Sequence, residues 1–112
     1  MNLIDSGHSQ LLAQAMDSYT LRQRVTSSNI ANIDSPGYSR HEVPFEEELR
    51  QVRAKGADVN NMTPTIRDTG DDVVLENELI EMADTQMRVQ LVTRSLRHHY
   101  DMLKTGITST TR

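Results

Sequence analysis

The chain has 112 residues, of which 25 are Leu, Ile, Val or Phe, so it holds one compact unit at most, with a thin apolar interior. Sixteen acidic side chains against twelve Lys and Arg give a net charge of −4, which argues against nucleic acid or an anionic membrane surface as partner. The lack of cysteine removes disulfides, thiolate metal sites and cysteine nucleophiles together.

Residues 1–34 read as an N-terminal axial helix. Its seam, at Ile4, His8, Leu11, Ala15, Ser18, Arg22, Val25, Asn29 and Asn32, has only four apolar members. Thr26, Ser27, Ser28, Asn29 and Asn32 lower helix propensity, because short polar side chains compete for backbone groups. A partner surface, not propensity, must hold this segment helical. Pro36 pushes Ser35 out of the α region, and the Pro36-Gly37 pair suits a type II turn, so a reversal is expected at Ser35–Tyr38.

Residues 35–72 form a turn-bounded middle segment. Pro44 suits the first turn of a short helix over 44–55, with Glu46, Glu47 and Glu48 near its start, Phe45, Leu49 and Val52 on one face, and Gly56 after it. Residues 56–72 are turn-rich and lack periodicity, which predicts a loop or extended arm.

Residues 73–112 read as a C-terminal axial helix with a frayed tail. Leu75, Leu79, Met82, Gln86, Val89, Thr93, Leu96, Tyr100, Leu103 and Ile107 make a seam of period 3.5 with eight apolar members, the pattern of a helix packed along its length against another. Glu76, Glu78, Glu81 and Asp84 precede Arg88, Arg94, Arg97 and Lys104, the order that the helix dipole favours. Asp72 is the expected N-cap. Gln86 and Thr93 read equally as solvent-facing interruptions or as register-setting groups in an interface. The fold class is mainly α, with long terminal helices forming a coiled-coil-like helical hairpin, a short middle helix and a turn-rich extended loop.

The residues that suggest chemistry have plainer readings. His98 and His99 are adjacent and point about 100° apart, whereas a shared metal needs the i, i+4 spacing, and His8 and His41 would join them only by coincidence of fold. The five glycines stand singly, so no phosphate-binding loop can be built from them. Ser27 and Ser28 lack a nucleophile elbow, and Asp71 and Asp72 suit turn and cap chemistry. Asn61-Met62-Thr63 matches a glycosylation acceptor, a pattern frequent by chance. No catalytic residue, metal or cofactor is expected. The first residues lack the basic and apolar regions of a Sec signal, and no window approaches 18 apolar residues. The expectation is a chain that neither spans a membrane nor inserts in one, and that is not exported by Sec.

Ser28-Asn29-Ile30-Ala31-Asn32-Ile33-Asp34-Ser35-Pro36-Gly37-Tyr38 resembles the N-terminal signature of bacterial flagellar axial proteins. The run from Leu75 to Gln90, followed by Leu103-Lys104-Thr105-Gly106-Ile107, is similar to the C-terminal half of the proximal rod family, FlgB. The resemblance covers roughly Leu11 to Phe45 and Val73 to Ile107, with Val89 where relatives commonly carry an aromatic and Ser35 in place of Thr. It marks Asn29, Ala31, Asn32, Pro36, Gly37 and Tyr38 as the axial motif and turn.

The resemblance implies a structural subunit of the flagellar basal-body rod that transmits torque across the periplasm and leaves the cell by the flagellar type III apparatus without a cleaved signal. The implied partners are copies of the chain, other rod proteins, and the inner-membrane ring, export gate and adaptor subunit at the rod base. The seams then become an assembly interface, comprising Leu11, Ala15 and Val25 together with the ten positions from Leu75 to Ile107, buried against copies or relatives in a helical tube. The competing class is a cytosolic helical adaptor or chaperone that dimerises through the helix over 75–107.

Overall fold

The computed structural model describes residues 6–110, with side chains described for residues 7–107. Ile4 of the N-terminal seam and the end of the expected tail lie outside the described residues. In chain order the elements are α1 (Ser6–Ala31), β1 (His41–Glu42), α2 (Phe45–Ala54), a 3-10 turn (Val59–Asn61), β2 (Arg67–Asp68) and α3 (Leu75–Thr110).

α1 stops at Ala31, three residues before the expected boundary. The carbonyl of Ser28 accepts both the backbone N–H of Asn32, at 3.0 Å, and its side-chain amide, at 2.9 Å. The next donors step back only three residues, Ile33 to Ile30 at 3.2 Å and Ser35 to Asn32 at 2.9 Å, and the helix unwinds into turns. The reversal follows at Pro36-Gly37, where Gly37 sits at φ +77° and Tyr38 N–H donates to Ser35 O at 3.2 Å. Positive φ at the third residue is what a type II turn demands, and glycine meets it without a Cβ penalty. α3 begins at Leu75 rather than Val73, since its first bond runs from Glu78 N–H to Val74 O at 3.1 Å, and Asp72 lies before the helix instead of capping it.

α2 is one residue shorter at each end than the expected 44–55, with Pro44 at its N-cap (φ −85°, ψ 56°) and Lys55 at its C-cap, and it turns its half-buried Leu49 inward together with Phe45, which is 4% exposed. The segment after it is more ordered than the loop the sequence suggests. His41 and Glu42 pair antiparallel with Asp68 and Arg67, extended by Arg40 N–H to Asp71 O at 2.7 Å and Thr69 N–H to Arg40 O at 2.8 Å. Two-residue strands are too short to show a period of two.

α1 and α3 run antiparallel, with Asn29 meeting Glu78 at one end and His8 near His99 at the other. The axes of the molecule span 65 × 30 × 14 Å, and its radius of gyration of 17.7 Å exceeds the roughly 13 Å of a compact chain of this length. The buried face of α1 is Ala15, Ser18, Tyr19, Arg22, Val25, Thr26 and Asn29, close to the seam read from the sequence. It packs on α3 of the same chain, so that seam is satisfied internally and is not left for copies.

On α3 the buried line differs from the expected one. Glu78, Thr85 and Val92 are buried and Met82, Val89, Leu96 and His99 half-buried, whereas Leu75, Leu79, Gln86 and Tyr100 are exposed. The helix is rotated by about half a residue step from the apolar seam. The cause is α1, whose inner face is polar: an apolar line opposite Arg22, Thr26 and Asn29 would bury their polar groups without partners.

The small apolar cluster is Ala15, Tyr19, Phe45 and Val92, with Leu11, Leu12, Met16, Leu49, Met62, Val89 and Leu96 against it. The Tyr19 and Phe45 rings meet edge to face, 5.9 Å between centroids. With so few large residues, Phe45→Ala should cost about 3 kcal/mol or more. The exposed Arg53→Ala should stay within about 0.5 kcal/mol. Urea unfolding followed by circular dichroism checks both.

Candidate functional site

The axial motif is built around one buried amide. Asn29, at 0% exposure, uses both of its polar atoms twice. Its Nδ2 donates to His41 O at 2.8 Å and to Glu78 Oε2 at 3.3 Å. Its Oδ1 accepts from Tyr38 Oη and from His41 N–H, each at 3.0 Å. One side chain on α1 thereby joins the turn, the start of β1 and the first turns of α3. Glu78 is itself fully buried and accepts from Arg40 Nε at 2.6 Å. Arg40 Nη1 also reaches Glu42 at 3.2 Å, and Arg67 Nε donates to Glu42 at 2.8 Å. The chain of partners runs from the helix end across the two-stranded ladder to its outer edge.

A second polar cluster lies one to two turns earlier on α1. The Arg22 guanidinium donates to both carboxylate oxygens of Glu46, at 2.6 and 3.1 Å, and to Val43 O at 2.6 Å. It lies 5.3 Å from the Tyr19 ring centroid, and its Nε is 3.7 Å from Glu81. This is bidentate pairing of a mostly buried cation, the arrangement in which a guanidinium contributes most. Arg88 pairs with Asp84 at 2.8 Å and reaches Glu46 at 3.7 Å. An open depression of about 340 Å3 runs between these groups. Its lining carries four Arg against five Asp or Glu, and the guanidinium groups of Arg22, Arg67 and Arg88 are each paired with carboxylates, so most of its charge is cancelled.

These pairs set acid sensitivity. Burial alone would push the Glu42 carboxyl up, but hydrogen bonds from Arg67 and Arg40 outweigh it and hold the group below the ordinary carboxylate range. The same balance, burial against the Arg22 hydrogen bonds and then its own backbone N–H, lowers Glu46. Arg22 is raised in turn, the Glu46 contacts overcoming the cost of burial.

The expected site residues separate into three groups. Asn29, Asn32 and Tyr38 are internal fasteners, with Asn32 also accepting Ser35 Oγ at 3.1 Å, while Ala31, Pro36 and Gly37 are exposed on the turn. Ala15 and Val25 are buried and Leu11, Met82, Val89, Thr93 and Leu96 half-buried inside the hairpin, where Thr93 Oγ1 donates back to Val89 O at 2.7 Å. Leu75, Leu79, Gln86, Tyr100, Leu103 and Ile107 are exposed, and Gln86 accepts from Gln23 Nε2 at 3.0 Å. Sequence reasoning missed Glu78, Arg40 and Arg22 as structural centres. For Arg22 the signal was a charge on a helix seam, which reads as an interruption until its partner is known; Glu78 lies beside the apolar seam and Arg40 outside the helices. Of the histidines, His8 and His99 meet, 6.0 Å between ring centroids, while His41 lies against Tyr38 at 5.3 Å. Among the described residues no group of three or more His, Asp or Glu is arranged to hold a metal.

The fastening motif falls within residues 11–38, which match the family model described as flagella basal body rod protein. The chain is 29% identical to the flagellar basal body rod protein FlgB of Bacillus subtilis, over 92% of this chain and 95% of that protein. It is 26% identical to FlgB of Borreliella burgdorferi, over 76% of this chain and 84% of the relative. The Escherichia coli protein of the same name is 37% identical over a shorter stretch, 44% of this chain and 36% of the relative. The chain is thus similar over most of its length to flagellar basal body rod proteins named FlgB. Asn29 and Tyr38 are the positions within the matched stretch whose work the structure makes plain.

Asn29→Ala would strand the Tyr38 hydroxyl, the His41 N–H and one side of Glu78, and should cost about 2–4 kcal/mol. Tyr38→Phe, which removes one bond, should cost about 1 kcal/mol. Shifts in urea midpoint at neutral pH measure both. Because Glu42 and Glu46 are depressed in the folded chain, their contribution is fully present above the ordinary carboxylate range and is lost as pH falls through and below it. Melting temperature should therefore be flat from pH 7 to about 5 and drop steeply below about 4.

Proposed function

We propose that the chain is a proximal rod subunit that polymerises with copies and with other rod proteins into a helical tube, and that the tube transmits torque. The supporting observation is the distribution of apolar surface on α3. With the hairpin closed, Leu75, Leu79, Ile80, Met87 and Leu91 remain 42, 52, 67, 64 and 60% exposed along one helix. A soluble monomer rarely leaves so many large apolar groups along one element in water, and such a surface marks an interaction site. Each of these side chains, already partly covered, contributes about 1–2 kcal/mol when the rest is buried, which drives association without any catalytic or ligand chemistry.

In this reading the two terminal segments, 1–34 and 73–112, form the axial part and 35–72 the turn-bounded middle. Its site is the basal-body rod in the periplasm, reached by the flagellar type III route, with the inner-membrane ring, export gate and adaptor subunit as neighbours at the base. The axial motif serves assembly indirectly, by fixing the angle at which α1 and α3 leave the turn. Leu11, Ala15, Val25, Val89 and Leu96 serve it by holding the hairpin shut. The contacts between subunits fall to the exposed set of Leu75, Leu79, Gln86, Tyr100, Leu103 and Ile107, with Ile80, Met87 and Leu91.

Leu79→Asp tests this assignment, because it places a charge on an exposed position. The purified variant should keep its helicity and unfolding midpoint within about 0.5 kcal/mol, while cells that carry it lose rods and swimming. Val89→Asp should instead unfold the hairpin, since the charge is half-buried without a partner. Normal swimming with Leu79→Asp, or a wild-type chain that stays a discrete dimer at every concentration, would contradict the proposal.

A further inference from the structure

α3 carries a second apolar line on the side turned away from α1. Ile80, Leu91 and Met102 are spaced by eleven residues, with Met87 beside them, and are 67, 60, 60 and 64% exposed. Eleven residues make three turns of 3.67, so residues at this spacing lie nearly above one another, about 16 Å apart along the axis. The line flanks charges that change sign along the helix. Glu76 and Asp84 border its first half, Arg88 and Arg94 the part that follows. Glu76 and Arg94 make no ion pair among the described residues, and Arg88 and Asp84 remain 43% and 48% exposed despite pairing with each other.

We propose that this line is covered by the same line of a second copy, packed parallel and displaced by eleven residues. This rests on the reading that the chain polymerises and says which surface does so and in what register. At that displacement Ile80 of one copy packs on Leu91 of the next, and Leu91 on Met102. Glu76 comes beside Arg88 of the next copy and Asp84 beside Arg94. Parallel packing without displacement would set acid on acid and base on base. Antiparallel packing would also match the charges, but it uses the same patch on both copies and closes as a dimer. The displaced contact joins two different halves of α3, so each added copy presents a fresh acceptor, which is the requirement for an open helical assembly.

Cysteine pairs test the register directly, because the chain has no cysteine of its own. In one chain Ile80→Cys and Leu91→Cys are about 16 Å apart along the helix, far beyond the 4.4–6.8 Å between Cα atoms that a disulfide allows, so any bond joins two copies. Both positions are exposed, and the substitutions leave the hairpin intact. Mild oxidation of basal bodies from swimming cells that carry the double variant should give a ladder of dimers, trimers and larger species on non-reducing gels. Leu91→Cys alone should give no species beyond a dimer. Rods that form normally but yield no ladder would overturn the displaced register while leaving polymerisation standing. Efficient bonding of Met87→Cys to Leu91→Cys that halts at dimers would overturn it in favour of the antiparallel pair. Cells that swim without the chain would overturn polymerisation itself.

Discussion

A buried carboxamide governs this fold. Asn29 sits where three segments converge, and removing it from water is tolerable only because four partners meet its two polar atoms. Each of those partners is fixed by something else: Tyr38 by the Pro36-Gly37 turn, His41 by the pairing with Asp68, Glu78 by the first turns of α3. The geometry of the turn and the docking of α3 are thus one constraint. A chain with few apolar residues gains definition from such a centre, since a polar network admits one arrangement where a thin greasy contact admits several.

The polarity of that seam decides which side of α3 faces inward. Arg22 and Asn29 require groups that answer them, and Glu81 and Glu78 do so where the leucines at 75 and 79 could not. Closing the hairpin in this way leaves much of the strongest apolar pattern on α3 outside. On the proposed reading, folding and association use different faces of one helix: the inner face is polar, with Glu78 held by Asn29 and Arg40, and the outer one is apolar and exposed. The proposed role needs that separation, because a subunit must hold a defined shape and still have surface left to join its neighbours.

Much of the architecture was legible in the sequence. Period 3.5 announced both helices, Pro36-Gly37 the reversal, and Pro44 with Phe45, Leu49 and Gly56 the short helix. The N-terminal seam from Ala15 to Asn29 was nearly right despite its polarity. What failed was the rotation of α3, because Met82, Val89 and Leu96 belong to two overlapping seams, and the more apolar of the two is the natural reading when the partner is unknown. Glu78 and Arg22 were hidden for the same reason. The pairing of 41–42 with 67–68 left no trace, since hydrogen bonds from Arg40 and to Asp71 depend on backbone placement and not on side-chain pattern. The family signature was visible as letters, but that Asn29 and Tyr38 fasten the chain to itself came only from the structure.

The central claim is that the hairpin is closed by its own polar seam before assembly, and that the apolar outer face of α3 is what assembly covers. Oxidative footprinting of the dilute chain and of isolated rods compares the two faces in one measurement. Tyr19, buried in the hairpin, should be protected in both states, whereas Met87, exposed on the outer face, should be reactive in the dilute chain and protected in the rod. Reactive Tyr19 in the dilute chain, becoming protected only on assembly, or Met87 equally reactive in both, would contradict the account.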